Sequence, residues 1–266
     1  MKEIRICDNA ELDKVFNICS KHNFGIEVQG FYNPIIIDTK ESDNLLHKYT
    51  AALKNFKCGK SLHAPFWDLN LGSKNPLIKQ ATMQLFNYAY KIAQQLNCTE
   101  IVVHNGFIPN TSYYQGWVNN ATSFWQEFFE GKDNSITMMI ENQCEENSEV
   151  LKMEVDAVND PRLKICLDIG HAHANSNMSV EDWITSLGER IGYLHLHNNH
   201  GKILTRPSFM NDEHLGLNSG TINIKKVFKL LQTHCPNAIW SIECNLEHIN
   251  DSIEILKKLG YTPKKD

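Results

Sequence analysis

Apolar residues recur along this chain in eight short runs, each followed by a polar break. The runs are E-I-R-I-C (3–7), F-G-I-E-V (24–28), C-G-K-S-L-H (58–63), E-I-V-V-H (100–104), S-I-T-M-M-I-E (135–141), L-K-I-C-L-D (163–168), I-G-Y-L-H-L (191–196) and A-I-W-S-I-E (238–243). Their length and apolar content fit buried β-strands. Between them lie amphipathic segments at 11–21, 76–96, 118–130, 146–158, 179–189, 222–234 and 248–259. In the first, Leu12, Val15, Phe16 and Cys19 repeat at three- and four-residue steps. In 222–234, Ile224, Val227, Phe228, Leu230 and Leu231 fall on one helical face. Alternating strand and helix patterns predict a parallel sheet. Eight units in 266 residues predict an α/β fold, a single (β/α)8 barrel over residues 1–266. An open doubly wound sheet is the competitor, but no G-x-G-x-x-G follows the first strand. In a closed barrel the first strand and last helix are neighbours, so the termini should lie close together.

The strand ends carry the chemistry. His63, His104, Glu141, Asp168, His195 and Glu243 each stand where an apolar run stops. A carboxylate at such a place is costly unless it is paired or metal-bound. His171 lies one short turn beyond Asp168, and Asp212 and His214 alternate in a long connection, 197–221. Imidazole and carboxylate are ligands for divalent metals, and one ion needs about four of them. Nine are enough for a cluster of divalent ions, with zinc, manganese and magnesium as candidates. In a barrel the loops after the strands form the catalytic face, where long loops are more often functional than decorative.

Other residues fill in around the nine. His197 alternates with His195 and should also point inward, as a contact to the ligands or the substrate and a candidate catalytic group. His173 and His200 read as polar loop residues, and His22, His47, His234 and His248 as solvated surface. Phe66 and Trp67, after Pro65, suggest an apolar wall beside the metals. Trp117, with Tyr113 and Tyr114 in the other long connection (105–118), would close the opposite side. Aromatic faces beside a polar site suit a sugar ring or a base. Gly216 and Gly220 look like turn glycines, with Thr221 a cap for the next helix.

Composition narrows the partners. Hydrophobic content of 42% and charged content of 21% are ordinary for a globular core. The net charge is −5 and the arginines number four, Arg5, Arg162, Arg190 and Arg206, which argues against a broad nucleic-acid surface. Eight cysteines without a C-x-x-C pair read as buried reduced thiols of a cytoplasmic protein. No window approaches a membrane span of roughly 18 apolar residues, and the N-terminus shows no signal peptide.

The pattern resembles the xylose isomerase-like barrel superfamily, in particular its AP endonuclease family 2, endonuclease IV-like branch. The residues that carry the likeness are H-A-P (63–65), V-V-H (102–104), I-E-N (140–142), C-L-D-I-G-H (166–171), H-L-H-N (195–198), D-E-H-L-G (212–216) and I-E (242–243). The resemblance implies three zinc ions. His63, His104 and Glu141 would hold one. Glu141 would bridge to a second, held by Asp168, His195 and Glu243. His171, Asp212 and His214 would hold the third. The sequence departs from that branch at Asn198, which stands where the family's H-x-x-D has its acid and is taken here as a substrate contact. The loop after strand two, G-F-Y-N-P, also has no arginine, so a small phosphorylated substrate is preferred over abasic duplex DNA. The expected activity is a metal-dependent phosphodiester or phosphoester hydrolase. The alternative is a sugar or sugar-phosphate isomerase or epimerase with Glu141 and Glu243 as acid and base. A sugar-phosphate binding module comes third.

Overall fold

The computed structural model describes residues 2–9 and 11–263. Its strands are β1 (Ile4–Cys7), β2 (Gly25–Val28), β3 (Lys60–His63), β4 (Glu100–His104), β5 (Thr137–Glu141), β6 (Leu163–Asp168), β7 (Ile191–Leu196) and β8 (Ile239–Ile242). They form a closed barrel in sequence order, every neighbouring pair parallel, with β8 returning to β1. The described helices are α1 (Leu12–His22), α2 (Lys40–Leu53), α3 (Pro76–Leu96), α4 (Tyr114–Phe129), α5 (Glu149–Val158), α6 (Ile169–Asn175), α7 (Val180–Leu187), α8 (Ile224–His234) and α9 (Ile249–Lys258). The ends of the described chain meet, as closure requires: Lys2 N donates to Thr262 O at 3.1 Å. No helix among the described residues is long and apolar enough to cross a membrane.

Two helices lie outside the predicted segments. α2 fills a stretch read as connection, although Leu45, Tyr49 and Leu53 recur at four-residue steps and Thr39 accepts a cap bond from Ser42 N. α6 begins directly at the end of β6, so His171 sits in a helical first turn. Two boundaries also move. α4 starts at Tyr114, inside the expected loop. Asn223 rather than Thr221 caps α8, accepting from Lys226 N.

The main core lies between the barrel and its helices, with Trp125, Trp183, Trp240, Phe24, Phe86 and Phe124 all fully buried. Inside the barrel the apolar filling is thin: Val102, Met139, Cys166, Tyr193 and Ile239. Strand side chains alternate, and the register carries that alternation around the wall. Glu27 pairs with Ser61, His104 with Glu141, and Asp168 with His195. The last inward position of these strands therefore opens on the C-terminal mouth.

One buried acid lies behind the wall. Glu154 on α5 is fully buried and accepts from Trp125 Nε1 at 2.7 Å. Burial pushes its carboxyl from the usual 4.5 up to about 8. The folded protein therefore keeps this proton where the unfolded chain has lost it. The stability it contributes is full below about 4.5 and is lost as pH rises to about 8, at about 1.4 kcal/mol per pH unit. Glu154→Gln should flatten that slope. Denaturant melts at pH 5 and pH 8 check this: the variant should gain on wild type at the higher pH, and parallel pH curves would contradict it.

Candidate metal centre

The nine predicted ligands converge on the mouth. His63 Nε2 and His104 Nε2 lie 3.3 and 3.1 Å from Glu141 Oε2. On the other side of Glu141, His195 Nδ1 lies 2.9 Å from Oε1, and the same nitrogen is 3.0 Å from Glu243 Oε2 and 3.7 Å from Asp168 Oδ2. A third group forms where His171 Nε2 and His214 Nε2 approach Asp212 Oδ2 at 3.2 and 2.9 Å. His63, Glu141, Asp168 and His195 are buried, and Asp212 and His214 are partly exposed toward the opening.

These contacts fit metal seats better than hydrogen bonds. Two ligand atoms on one tetrahedral zinc stand about 3.3 Å apart, given metal–ligand distances of about 2.0–2.2 Å. The far nitrogens settle which ring atom is free. Nδ1 of His63 lies 2.8 Å from Ala64 O, that of His171 2.8 Å from Asn142 O, and that of His214 2.7 Å from Glu243 O. A carbonyl only accepts, so each Nδ1 carries the hydrogen, and in the neutral ring Nε2 presents a lone pair to the carboxylate. Two lone pairs facing each other need a cation between them. Asp212 Oδ1 and Glu243 Oε2 are buried without a hydrogen-bond partner among the described residues. These residues therefore fit the divalent ions that the donor set implies.

Without an ion the same groups hold protons. Burial alone would raise the Glu141 carboxyl, but the charges of His195 and His104 hold it well below the ordinary range. Burial would lower His171 and His195, but carboxylate and thiol neighbours, Asp168 foremost for His171 and Cys166 for His195, hold both well above. His214 is pushed up to about 9 against its burial, chiefly by the Asp212 hydrogen bond. Asp168 is drawn down to about 2 against its burial by His171 and His197.

His197 is fully buried and does not open on the cavity. Its Nε2 lies 3.0 Å from Asp168 Oδ1, and its ring stacks on His214 at 4.1 Å. It holds Asp168 rather than reaching substrate. Gly170 makes room for it, since a Cβ there would meet the His197 ring at 2.0 Å. Asp168 is used once more, because its Oδ1 caps α6 by accepting from His171 N at 2.6 Å.

The cavity over these groups measures about 420 Å³, within the roughly 300–1,000 Å³ of small-molecule sites. Phe66 lines it, stacked on His104 at 4.8 Å and on Tyr32 at 5.8 Å. Trp67 is 45% exposed and packs edge-on against Phe66 at 5.9 Å and Tyr32 at 6.0 Å. Three of the four expected substrate contacts, Trp67, Trp117 and Asn198, do not line this cavity. Trp117 is buried, donates from Nε1 to Asn70 Oδ1 at 3.0 Å, and borders a separate cleft of about 1130 Å³. Asn198 is fully buried and ties the long loop together, donating to Leu217 O at 2.8 Å and accepting from Ile222 N at 3.0 Å. Its amide both donates and accepts there, which explains an amide where the family has an acid.

Sequence reading missed four lining amides: Asn9, Gln29, Gln143 and Asn245. Gln29 Nε2 donates to Glu243 Oε1 at 2.5 Å. The same period of two would have found two of them, since Gln29 follows Glu27 and Asn245 follows Glu243 at that step. Glu27, fully buried on β2, was missed as well; His195 Nε2 donates to its oxygens at 3.0 and 3.1 Å.

Fold and site together define a class, a (β/α)8 barrel with a candidate metal centre at its C-terminal mouth. Within that class the chain belongs to the xylose isomerase-like TIM barrel family, which it matches over residues 21–259. It is 30% identical over 208 residues to an uncharacterized protein of Methanocaldococcus jannaschii, covering 74% of this chain and 68% of the other. Its structure resembles that of a D-tagatose 3-epimerase-like protein, with a TM-score of 0.76, 26% identity and 97% of each chain covered. It shares its fold with the IOLI protein solved with a bound zinc atom, with a TM-score of 0.74 at 16% identity, covering 98% of this chain and 96% of that one.

Metal ions take neutral imidazole, so binding displaces protons. At pH 7 zinc uptake should release protons from His171, His195 and His214, and zinc affinity should rise with pH up to about 9. Calorimetric zinc titrations in buffers of different ionisation enthalpy measure this. Uptake with no proton release would show the rings to be neutral beforehand.

Proposed function

We propose that the protein is a metal-dependent isomerase or epimerase of a small, unphosphorylated sugar-like compound. The observation that carries this reading is the pairing of Glu141 and Glu243 across one imidazole, 2.9 and 3.0 Å from His195 Nδ1. Both line a cavity whose described walls contain no lysine or arginine. Asn9, Gln29, Gln143 and Asn245 offer donors and acceptors matched to hydroxyl groups, and Phe66 and Tyr32 offer a flat apolar face. Arg206, the arginine of the long loop, is occupied by Asn211 at 2.7 Å and Glu213 at 3.4 Å. It is not among the described walls of the cavity, so no guanidinium faces a phosphate group there. The likeness to a D-tagatose 3-epimerase-like protein points the same way.

In this reading one carboxylate removes a proton from the carbon beside the substrate carbonyl, and the C–H electron pair passes toward the carbonyl oxygen. The other carboxylate returns a proton, to the opposite face for epimerisation or to the neighbouring carbon for isomerisation. A divalent ion held by Glu141, Asp168, His195 and Glu243 would polarise the carbonyl oxygen. Gln29 keeps Glu243 turned toward the cavity through its hydrogen bond to Oε1. Phe66 and Tyr32 exclude water from one side.

Phosphoester hydrolysis remains the second reading, and the His171–Asp212–His214 group favours it. Proton transfer between carbons has no evident need of a third seat, whereas clustered metals suit phosphoryl chemistry. Incubating metal-loaded protein with ketoses and aldoses in D2O should place deuterium beside the carbonyl. Glu141→Gln and Glu243→Gln should each lower that exchange about 10²–10⁴-fold, and His214→Ala should retain it. Cleavage of phosphomonoesters, phosphodiesters or abasic duplex DNA, lost in both Glu141→Gln and His214→Ala, would establish the hydrolase instead.

A further inference from the structure

The mechanism above leaves a buried polar column beneath the metal centre unused. Its members are His195, Glu27, Tyr193, Ser61 and Arg5, each no more than 1% exposed. Such a column is costly inside a barrel unless every proton has a place. Here the protons can be followed. Tyr193 OH has one hydrogen and lies 2.7 Å from Glu27 Oε2, which as a carboxylate only accepts. Ser61 Oγ, 2.7 Å from the same phenol oxygen, must then donate to it. Arg5 lies over the Tyr193 ring at 5.6 Å and is neutralised by Glu3 and Glu100. Both oxygens of Glu27 remain directed at His195 Nε2, at 3.0 and 3.1 Å.

We propose that Glu27 is the positioning residue of the second metal seat. It keeps the hydrogen of His195 on Nε2 and so aims the Nδ1 lone pair at the space between Glu141, Asp168 and Glu243. The other ligand histidines with a partner at the far nitrogen use neutral carbonyls: Ala64, Asn142 and Glu243. His171 Nδ1 also lies 3.3 Å from Glu141 Oε1, but Glu141 is itself one of the nine predicted ligands; His195 alone has at its far nitrogen a carboxylate from outside that set. An anionic partner makes an imidazole a stronger donor to a metal than a carbonyl does, so His195 should be the strongest imidazole ligand of the mouth. Glu27 also explains why Asn198 can be an amide: the carboxylate in contact with His195 comes from β2, and the position after β7 is released to hold the loop.

This inference rests on the metal-binding reading of the mouth and is independent of the reaction chosen. Zinc competition against a chromophoric chelator tests both, on wild type, Glu27→Gln, Glu27→Ala and Tyr193→Phe. Wild-type protein that retains no zinc would overturn the metal reading and the proposal with it. With zinc bound to wild type, Glu27→Gln should weaken one seat about 10–100-fold and leave the His63–His104 seat unchanged. Tyr193→Phe should weaken the same seat several-fold. Histidine side-chain ¹⁵N spectra separate positioning from mere folding. Zinc-loaded wild type should show His195 with its hydrogen on Nε2, and Glu27→Ala should lose that signature while the other histidines keep theirs. Cobalt substitution covers the competing assignment, because Cys7, Glu27, His195 and Glu243 have ligand atoms within 4.8 Å of one another. A thiolate-to-cobalt absorption band, removed by Cys7→Ser, would make this deeper group a seat of its own and overturn the positioning role. Equal weakening of all seats, or no change in any, would overturn it too.

Discussion

Four imidazoles crowd one buried carboxylate. Nitrogens of His63, His104, His171 and His195 all lie between 2.9 and 3.3 Å of a Glu141 oxygen. No arrangement of hydrogens satisfies that geometry with neutral rings, because His63 and His195 have the far nitrogen committed to Ala64 O and to Glu27, and each then turns a lone pair toward Glu141. Either protons accumulate or cations enter. Much else at the mouth follows from holding these rings still: the carbonyl of Asn142, the amide of Asn142 bridging both backbone groups of Asp168, and the gap at Gly170 into which His197 fits.

The barrel can carry so much charge because its stability is placed elsewhere. The apolar filling inside the sheet is a single thin cluster, whereas four of the five tryptophans and most phenylalanines belong to the large outer core. The outer core sets the radius and the register. The inner surface is then free to hold polar groups, provided each is paired. From Arg5 upward through Tyr193, Glu27 and His195 to Glu141 they are paired nearly without a break.

Much of this was legible in the sequence. Eight apolar runs gave eight strands, and residues closing them gave a mouth whose donors lie close together, because a period of two in a parallel barrel sends strand-end side chains to one place. The legible part ends where contact depends on three dimensions. Asn198 looks like a substrate contact by its place after β7, yet the loop folds back and buries it. Trp117 looks like a wall of the site, but α4 begins early and turns it under Gly72. Glu27 escaped notice because it stands one residue short of the end of its run, before Val28, and nothing local says that His195 lies across the barrel. α2 was lost among polar residues, although its leucine and tyrosine spacing is helical.

Asp168 shows how little slack this architecture leaves. One of its oxygens starts α6 and receives His197, while the other faces His195 and His171. A single side chain thus joins a helix terminus, a buried ring pair and the candidate metal centre. Changes at such a residue cannot be additive with changes at its neighbours. The cavity wall is built differently: Phe66 and Gln143 come from loops that share none of these contacts, so the shape of the cavity can be altered there without disturbing Asp168.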